Sequence, residues 1–242
     1  MKKSIKVGDI AIALERKKIK NMYLKVRPPE GEILICAPET MTLETIRMFA
    51  LKKLPWIKKQ QKAIQSRTRE APRHYIDEET HYLWGEGYLL KIMESNNAPR
   101  VTLGHKTILL QIPPECDHEV AQRDRLTKQA IMAQWYREQL KQAIPPLIEK
   151  WQPIMGVKVN RFFVQQMKTK WGSCNVTHGN IRLNTELAKR QKICLEYVVV
   201  HEMTHLLEAN HGKKFVALMD TFLPPWREYQ EMLNSLPPNR DN

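Results

Sequence analysis

Residues 198–215 read VVVHEMTHLLEANHGKKF, and the rest of the 242-residue chain is read outward from this stretch. His201, Glu202 and His205 form the pattern H-E-x-x-H. On a helix, residues four apart share a face, so His201 and His205 point the same way and can grip one metal ion. Glu202 sits to one side of them, where it can reach a water on that ion but not readily ligate it. His211 follows six residues after His205, a gap that suits a helix ending and turning back. Asn210 and Gly212 flank His211, and both residue types tolerate the left-handed conformation that stops a helix. Two imidazoles from the helix and one from the turn would bind one Zn2+ per protein molecule. The fourth position would stay open for water, the mark of a catalytic rather than a structural site.

The surrounding sequence supports a helix. LEYVVVHEMTHLLEA contains no Gly or Pro and is strongly apolar before the histidines. With ~3.6 residues per turn, Cys194, Tyr197, His201, His205 and Glu208 fall on one stripe, while Leu195, Val199 and Leu206 cover other sides. A helix apolar nearly all round is a buried helix. Buried imidazoles need partners. A metal supplies them; the plainer alternative is two hydrogen-bonded core histidines with an exposed His211.

Upstream, residues 171–184 read WGSCNVTHGNIRLN. This stretch, followed by YVVVHEMTHLLEANHGKKF, resembles the YgjP-like zinc metallopeptidases, relatives of the SprT and WLM protease groups. That family shows W-G-S-C, a short gap, G-x-I-x-L-N, then Y-V-V-x-H-E-x-x-H-L-x-x-x-N-H-x-x-x-F. Trp171, Gly172, Ser173, Cys174, Ile181, Leu183 and Asn184 match, as do Tyr197, His201, Glu202, His205, Leu206, Asn210, His211 and Phe215. The close likeness covers about residues 165–230. Two departures are Val216, where the family usually has Trp, and the run Lys189 to Lys192, where it usually has Pro. The resemblance implies an α+β protein. Its C-terminal domain would be zincin-like, with the H-E-x-x-H helix packed on a small sheet, behind a β-rich N-terminal domain. It also implies zinc-dependent hydrolysis of peptide bonds in a peptide or protein substrate, with Glu202 as general base and His201, His205 and His211 as metal ligands.

Other residues acquire candidate roles around that site. Zincin-type proteases generally hold substrate as an extra strand on a sheet edge, and Asn180, Ile181 and Arg182 lie on the strand before the metal helix. An ordinary interior strand is the alternative. Trp171 to Cys174 read as a tight turn under the site, with Gly172 permitting it. Cys174 has a second reading, as third ligand in the manner of peptide deformylases. Glu208 is placed to accept an imidazole N–H, or to be a solvated carboxylate. Tyr197 is placed to stabilise an oxyanion, or to pack in the core.

Composition narrows the setting. Lys and Arg total 39 against 26 Asp and Glu, a net charge of +13 that favours polyanions or simply a solvated surface. Hydrophobic residues make up 42%, enough for a core. No apolar run reaches membrane-spanning length, and the basic N-terminus lacks the apolar centre of a signal peptide. Cys36, Cys116, Cys174 and Cys194 are scattered, so free thiols in a reducing cytoplasm are expected.

The pattern along the sequence gives three strands over residues 5–37, with a turn at Pro28, Pro29 and Gly31. A helix capped by Thr42 follows, its apolar face formed by Leu43, Ile46, Phe49, Ala50 and Leu54, kinked at Pro55 and ending near Gln65. It is the most basic stretch: Arg47, Lys52, Lys53, Lys58, Lys59, Lys62, Arg67 and Arg69. Lys52, Lys53, Lys58, Lys59 and Lys62 are candidates for non-specific DNA or RNA contact. Strands are expected over 81–93 and 100–112, and a domain division near residue 115. The sequence then reads as a β-rich domain over 1–115, a metallopeptidase domain over 116–236 and a disordered tail over 237–242. A long helix from His118 should break at Pro145-Pro146 and pack on the metal helix. Val157 to Met167 reads as a strand, and no internal repeat is visible. Three functions remain open: a zinc metallopeptidase, a nucleic-acid-binding protein with a structural zinc, and a zinc hydrolase acting on a non-peptide amide or N-formyl group. Glu202 beside an open metal position argues against the second.

Overall fold

In the computed structural model the described residues are 3–27, 31–65, 73–114 and 121–235. The expected turn prolines 28 and 29, Arg67, Arg69, Cys116, the start of the helix at His118 and the tail 237–242 lie outside them. The fold is mixed α+β, and the protein forms two compact units, residues 1–68 and 69–242.

The first unit is a four-stranded sheet and one helix. Its strands are β1 (Lys3–Val7), β2 (Ile10–Lys17), β3 (Tyr23–Arg27) and β4 (Glu32–Pro38), in the order β1-β2-β4-β3. The middle strands β2 and β4 run parallel, and each outer strand is antiparallel to its neighbour. Ile33 to Ala37 is a continuous apolar run because β4 is central and buried on both faces. Helix α1 (Leu43–Gln65) starts where Thr42 Oγ1 accepts from the Thr45 amide at 3.2 Å. Ile46, Ala50 and Ile57 bury fully against the sheet. Leu43, expected on that face, is 46% exposed, and Ile57 fills the core further along. The helix continues through Pro55, which is exposed.

The second unit begins with the same strand plan: β5 (Thr80–Leu83), β6 (Glu86–Glu94), β7 (Arg100–Leu103) and β8 (Thr107–Ile112), ordered β5-β6-β8-β7, with the central pair again parallel. Sheet topology thus repeats where sequence shows no repeat. The two strands expected here are four, since each run is folded at a tight turn. Trp84 and Gly85 sit at positive φ, 52° and 84°, and reverse β5 into β6. The division expected near residue 115 is corrected to residue 68, because Leu83, Leu90, Ile108, Leu110 and Ile112 share one core with the rest of the second unit.

Helix α2 (Ala121–Met155) does not break at Pro145-Pro146. The carbonyls that those rings leave unpaired belong to Lys141 and Gln142, which are exposed to water, while Ile144 and Ile148 on the other side are buried. A three-stranded sheet follows: β9 (Arg161–Gln165), β10 (Gly172–Asn175) and β11 (Asn180–Asn184), in the order β10-β11-β9. After a 3-10 helix at Thr185–Lys189 come α3 (Lys192–Thr204), α4 (Lys213–Phe222) and α5 (Trp226–Ser235). Among the described residues no helix is long and apolar enough to cross a membrane.

Candidate functional site

Helix α3 is fixed from three sides. Val199, Val200 and Met203 are fully buried, each worth ~1.5–3 kcal/mol in side-chain burial. Lys150 Nζ and Trp151 Nε1 of α2 both donate to Glu196 Oε1, at 2.7 and 2.9 Å. At its start, the β5–β6 turn docks: the Trp84 amide donates to the Ala188 carbonyl at 2.8 Å, and Lys192 Nζ lies 5.6 Å from the Trp84 ring centre. Gly85 has room only for a hydrogen, since a Cβ there would come within 2.7 Å of Gln191 Cγ. This docking stands where the family's usual proline is missing. The half-buried Val216 packs against the same core.

The helix ends at Thr204, earlier than the sequence pattern implied. The Leu206 and Leu207 amides reach back only three residues, to the Met203 and Thr204 carbonyls at 3.0 Å, and this tightening lets the backbone return. His211 thereby meets the two helical histidines. Ligating atoms of His201, His205 and His211 all lie within 4.8 Å of one another. His211 Nε2 and His201 Nε2 are 3.0 Å apart. Phe215, 2% exposed, backs all three rings at centroid distances of 5.0, 4.8 and 4.7 Å.

The donor set fits a metal. His205 Nδ1 lies 3.2 Å from the Glu208 carbonyl, and donation there leaves Nε2 for an ion. His201 Nδ1 is buried without a hydrogen-bond partner. Burial, with His205 and His211 beside it, holds the His201 imidazole at about 3, so it is neutral and ready to ligate. Three nitrogens at ~2.0–2.1 Å from one tetrahedral ion stand ~3.4 Å apart, a spacing this cluster can meet. Cys174 is not in the cluster. Its thiol is pushed up to about 11, first by burial and then by Glu202, which disfavours the thiolate a metal needs.

Glu202 is 5% exposed, and burial pushes its carboxyl up to about 8, with Lys170 acting against the shift. Its carboxylate lies directly on the Gly172 backbone: a Cβ on Gly172 would come within 2.6 Å of Glu202 Oε1. Gly172 is therefore glycine for close approach, not for a turn. Of the expected turn Trp171–Cys174, Gly172 to Cys174 lie in the edge strand β10.

The substrate-edge expectation for Asn180, Ile181 and Arg182 is also corrected. Their strand β11 is central, antiparallel to β10 and parallel to β9, so both of its edges are paired. Ile181 is fully buried. Strand β10 carries the edge instead. Glu208 serves His205 through its backbone carbonyl; its carboxylate accepts from the Asn210 amide at 3.3 Å and pairs with Lys214 at 3.7 Å. Tyr197 is buried, bonded to the Gln230 side chain, and its hydroxyl is pushed up to about 12, chiefly by burial.

These groups line one cleft of about 480 Å³. Residues Lys170 to Cys174 and Val176 form one wall, α3 the floor, and Gln230, Leu233 and Asn234 of α5 contribute to the other side. Sequence reading missed the α5 residues, which carry no motif, and Asn184 as an anchor. Asn184 is fully buried and donates to the Met167 and Lys170 carbonyls, both at 2.8 Å. Lys52, Lys53, Lys58, Lys59 and Lys62 lie exposed on α1, in the other unit, beside Trp56 at 43% exposure.

The family model of the YgjP-like metallopeptidase domain matches residues 20–236. Curated proteins return no match. Among solved structures, the crystal structure of the metallopeptidase zymogen of Pyrococcus abyssi abylysin is similar over 39% of this chain and 95% of that one, at 19% identity and a TM-score of 0.36. That likeness is too slight to bear on the fold. The family match takes in nearly the whole sequence, including the histidines, Glu202 and the β10 wall: the chain belongs to the YgjP-like metallopeptidase family.

Proposed function

We propose that this protein is a zincin-like, zinc-dependent peptidase in which His201, His205 and His211 hold the ion and Glu202 is the general base. The observation that supports it is the convergence of three imidazoles beside a buried carboxylate, in an open cleft. A zinc ion held there supplies Lewis acidity, which eases deprotonation of water and polarises a peptide carbonyl. Zinc suits three imidazoles better than magnesium or calcium, which prefer oxygen.

The protein's own residues do the rest. Glu202, as the carboxylate, takes a proton from the attacking water and returns it to the leaving amine. Gly172 leaves the space in which that carboxylate sits. The edge of β10 offers backbone groups to an extended substrate, and in this reading the peptide adds antiparallel to it, as β11 does on the other side. The Tyr197 hydroxyl, neutral and lining the cleft, would donate to the developing oxyanion in this reading. A structural zinc would normally have four protein ligands, and the cluster among the described residues has three. An N-formyl or other amide hydrolase using Cys174 is disfavoured by the same cluster. On cysteine spacing alone, the proposed setting is the cytoplasm.

The test is metal analysis of purified protein together with cleavage of a denatured generic substrate. Wild type should hold one zinc and cleave. Glu202→Gln should keep zinc and fold but lose ~10²–10⁴ in rate. Zinc retained in full by a His201→Ala, His205→Ala double variant, or undiminished cleavage by Glu202→Gln, would refute the assignment.

Non-specific nucleic-acid contact by α1 is a second, independent proposal. It is favoured by the five exposed lysines, none ion-paired among the described residues, beside an exposed tryptophan.

A further inference from the structure

The wall of the cleft formed by residues 170–174 has one feature that peptide hydrolysis as such does not use. Lys170 is the single Lys or Arg lining the cleft among the described residues. Its side chain is exposed and has no ion pair among the described residues. It is close enough to Glu202 and His205 for its charge to act on both.

Its place is built rather than incidental. The Asn184 side-chain amide, fully buried, clamps the Lys170 carbonyl at 2.8 Å and the Met167 carbonyl at the same distance. The Asn184 backbone N–H donates to the Trp171 carbonyl at 2.9 Å. The Arg190 guanidinium covers the Trp171 ring at 5.7 Å. The backbone at Lys170 and Trp171 is thus tied to Asn184 of β11, two residues before the point where β10 meets Glu202.

Direction follows from strand geometry. Glu202 lies against Gly172, so the bond to be cut faces that part of β10. A peptide adding antiparallel to β10 runs opposite to it. Its C-terminal side then lies towards Lys170 and its N-terminal side towards Cys174 and Val176, which carry no charge to match.

Resting on the peptidase reading above, we infer that Lys170 is a specificity residue that recognises a carboxylate on the leaving side of the scissile bond. That carboxylate is either an Asp or Glu side chain in the first two positions after the cut or the free C-terminus of a short peptide. A partly exposed charge pair of this kind should favour acidic over basic residues there by roughly five- to tenfold.

The experiment maps cleavage sites by mass spectrometry after the full-length, zinc-loaded protein digests a denatured protein mixture. Wild type, Lys170→Gln and Lys170→Glu are compared at equal substrate conversion. Expected are Asp and Glu enrichment, or cuts close to the C-terminus of the substrate, in the wild-type profile. The enrichment should vanish in Lys170→Gln and turn towards Lys and Arg in Lys170→Glu. The same acidic enrichment in all three proteins would overturn the inference, as would a wild-type profile with no preference after the cut or with acids preferred only before it. Each of these leaves the peptidase assignment standing. Absence of any cleavage by zinc-loaded wild type would remove that assignment, and this inference with it.

Discussion

Gly172→Ala should disable the peptidase without emptying its metal site. The added Cβ would lie 2.6 Å from Glu202 Oε1, 2.8 Å from Cγ and 2.9 Å from Cδ. An ordinary contact begins at 3.4 Å, so the carboxylate must retreat by about 0.8 Å or the strand must give. Overpacking of this kind costs ~1–3 kcal/mol. In a unit of this size, that lowers the melting temperature by ~2–4 °C for each kcal/mol. A general base displaced by nearly 1 Å loses ~10² in rate. The added Cβ would meet Glu202 first, so the three histidines should bind zinc as before. The assay measures kcat and KM on one peptide, zinc content and thermal unfolding. The expected pattern is a kcat reduced by ~10² with KM and zinc little changed. A Gly172→Ala protein that melts at the wild-type temperature and turns over within threefold of wild type would refute the close-approach reasoning.

Metal-free protein should show a pH profile of stability with opposing limbs. The His201 imidazole is held near 3 in the fold, below its ordinary 6.5, so stability rises with pH between those values. Glu202 is held near 8, above its ordinary 4.5, so stability falls with pH from 4.5 to 8. The two offset each other between 4.5 and 6.5, and a net loss of up to a few kcal/mol remains from 6.5 to 8; denaturant midpoints that stay level over that last interval would contradict it. Cys174→Ser should leave zinc content unchanged, and a large loss of affinity without unfolding would reinstate the cysteine as a ligand. Changing Lys52, Lys53, Lys58 and Lys59 together to Gln should flatten the salt dependence of DNA binding by ~0.9 in log–log slope for each phosphate no longer neutralised; an unchanged slope would leave these lysines as a solvated face.

The histidine cluster was legible in the sequence because its geometry is local. H-E-x-x-H brings two histidines together by helical geometry, and Asn210-His211-Gly212 supplies the return of a third. What was not legible depends on pairing between distant segments. Asn180 to Asn184 has the composition of an edge or an interior strand alike, and only β9 arriving on its far side decides. Gly172 looked like a turn residue because a missing side chain signals both a special backbone angle and a close neighbour. The neighbour, Glu202, is 30 residues away. Prolines 145 and 146 suggested a helix break because sequence shows the lost hydrogen bonds but not the packing of Ile144 and Ile148 that outweighs them. The placement of β5–β8 with the histidine unit was hidden for the same reason: the residues that unite them are buried aliphatics, and aliphatics carry no address.

The docking of the Trp84-Gly85 turn on Ala188 and Gln191 also orders events in time. About a hundred residues separate the two sides of that contact. Contacts so far apart in sequence close late, after local helices and hairpins have formed. During synthesis the hairpin therefore waits for its partner, which follows about a hundred residues later. Until then, a polypeptide still being made carries the two halves of the second unit as unassembled parts.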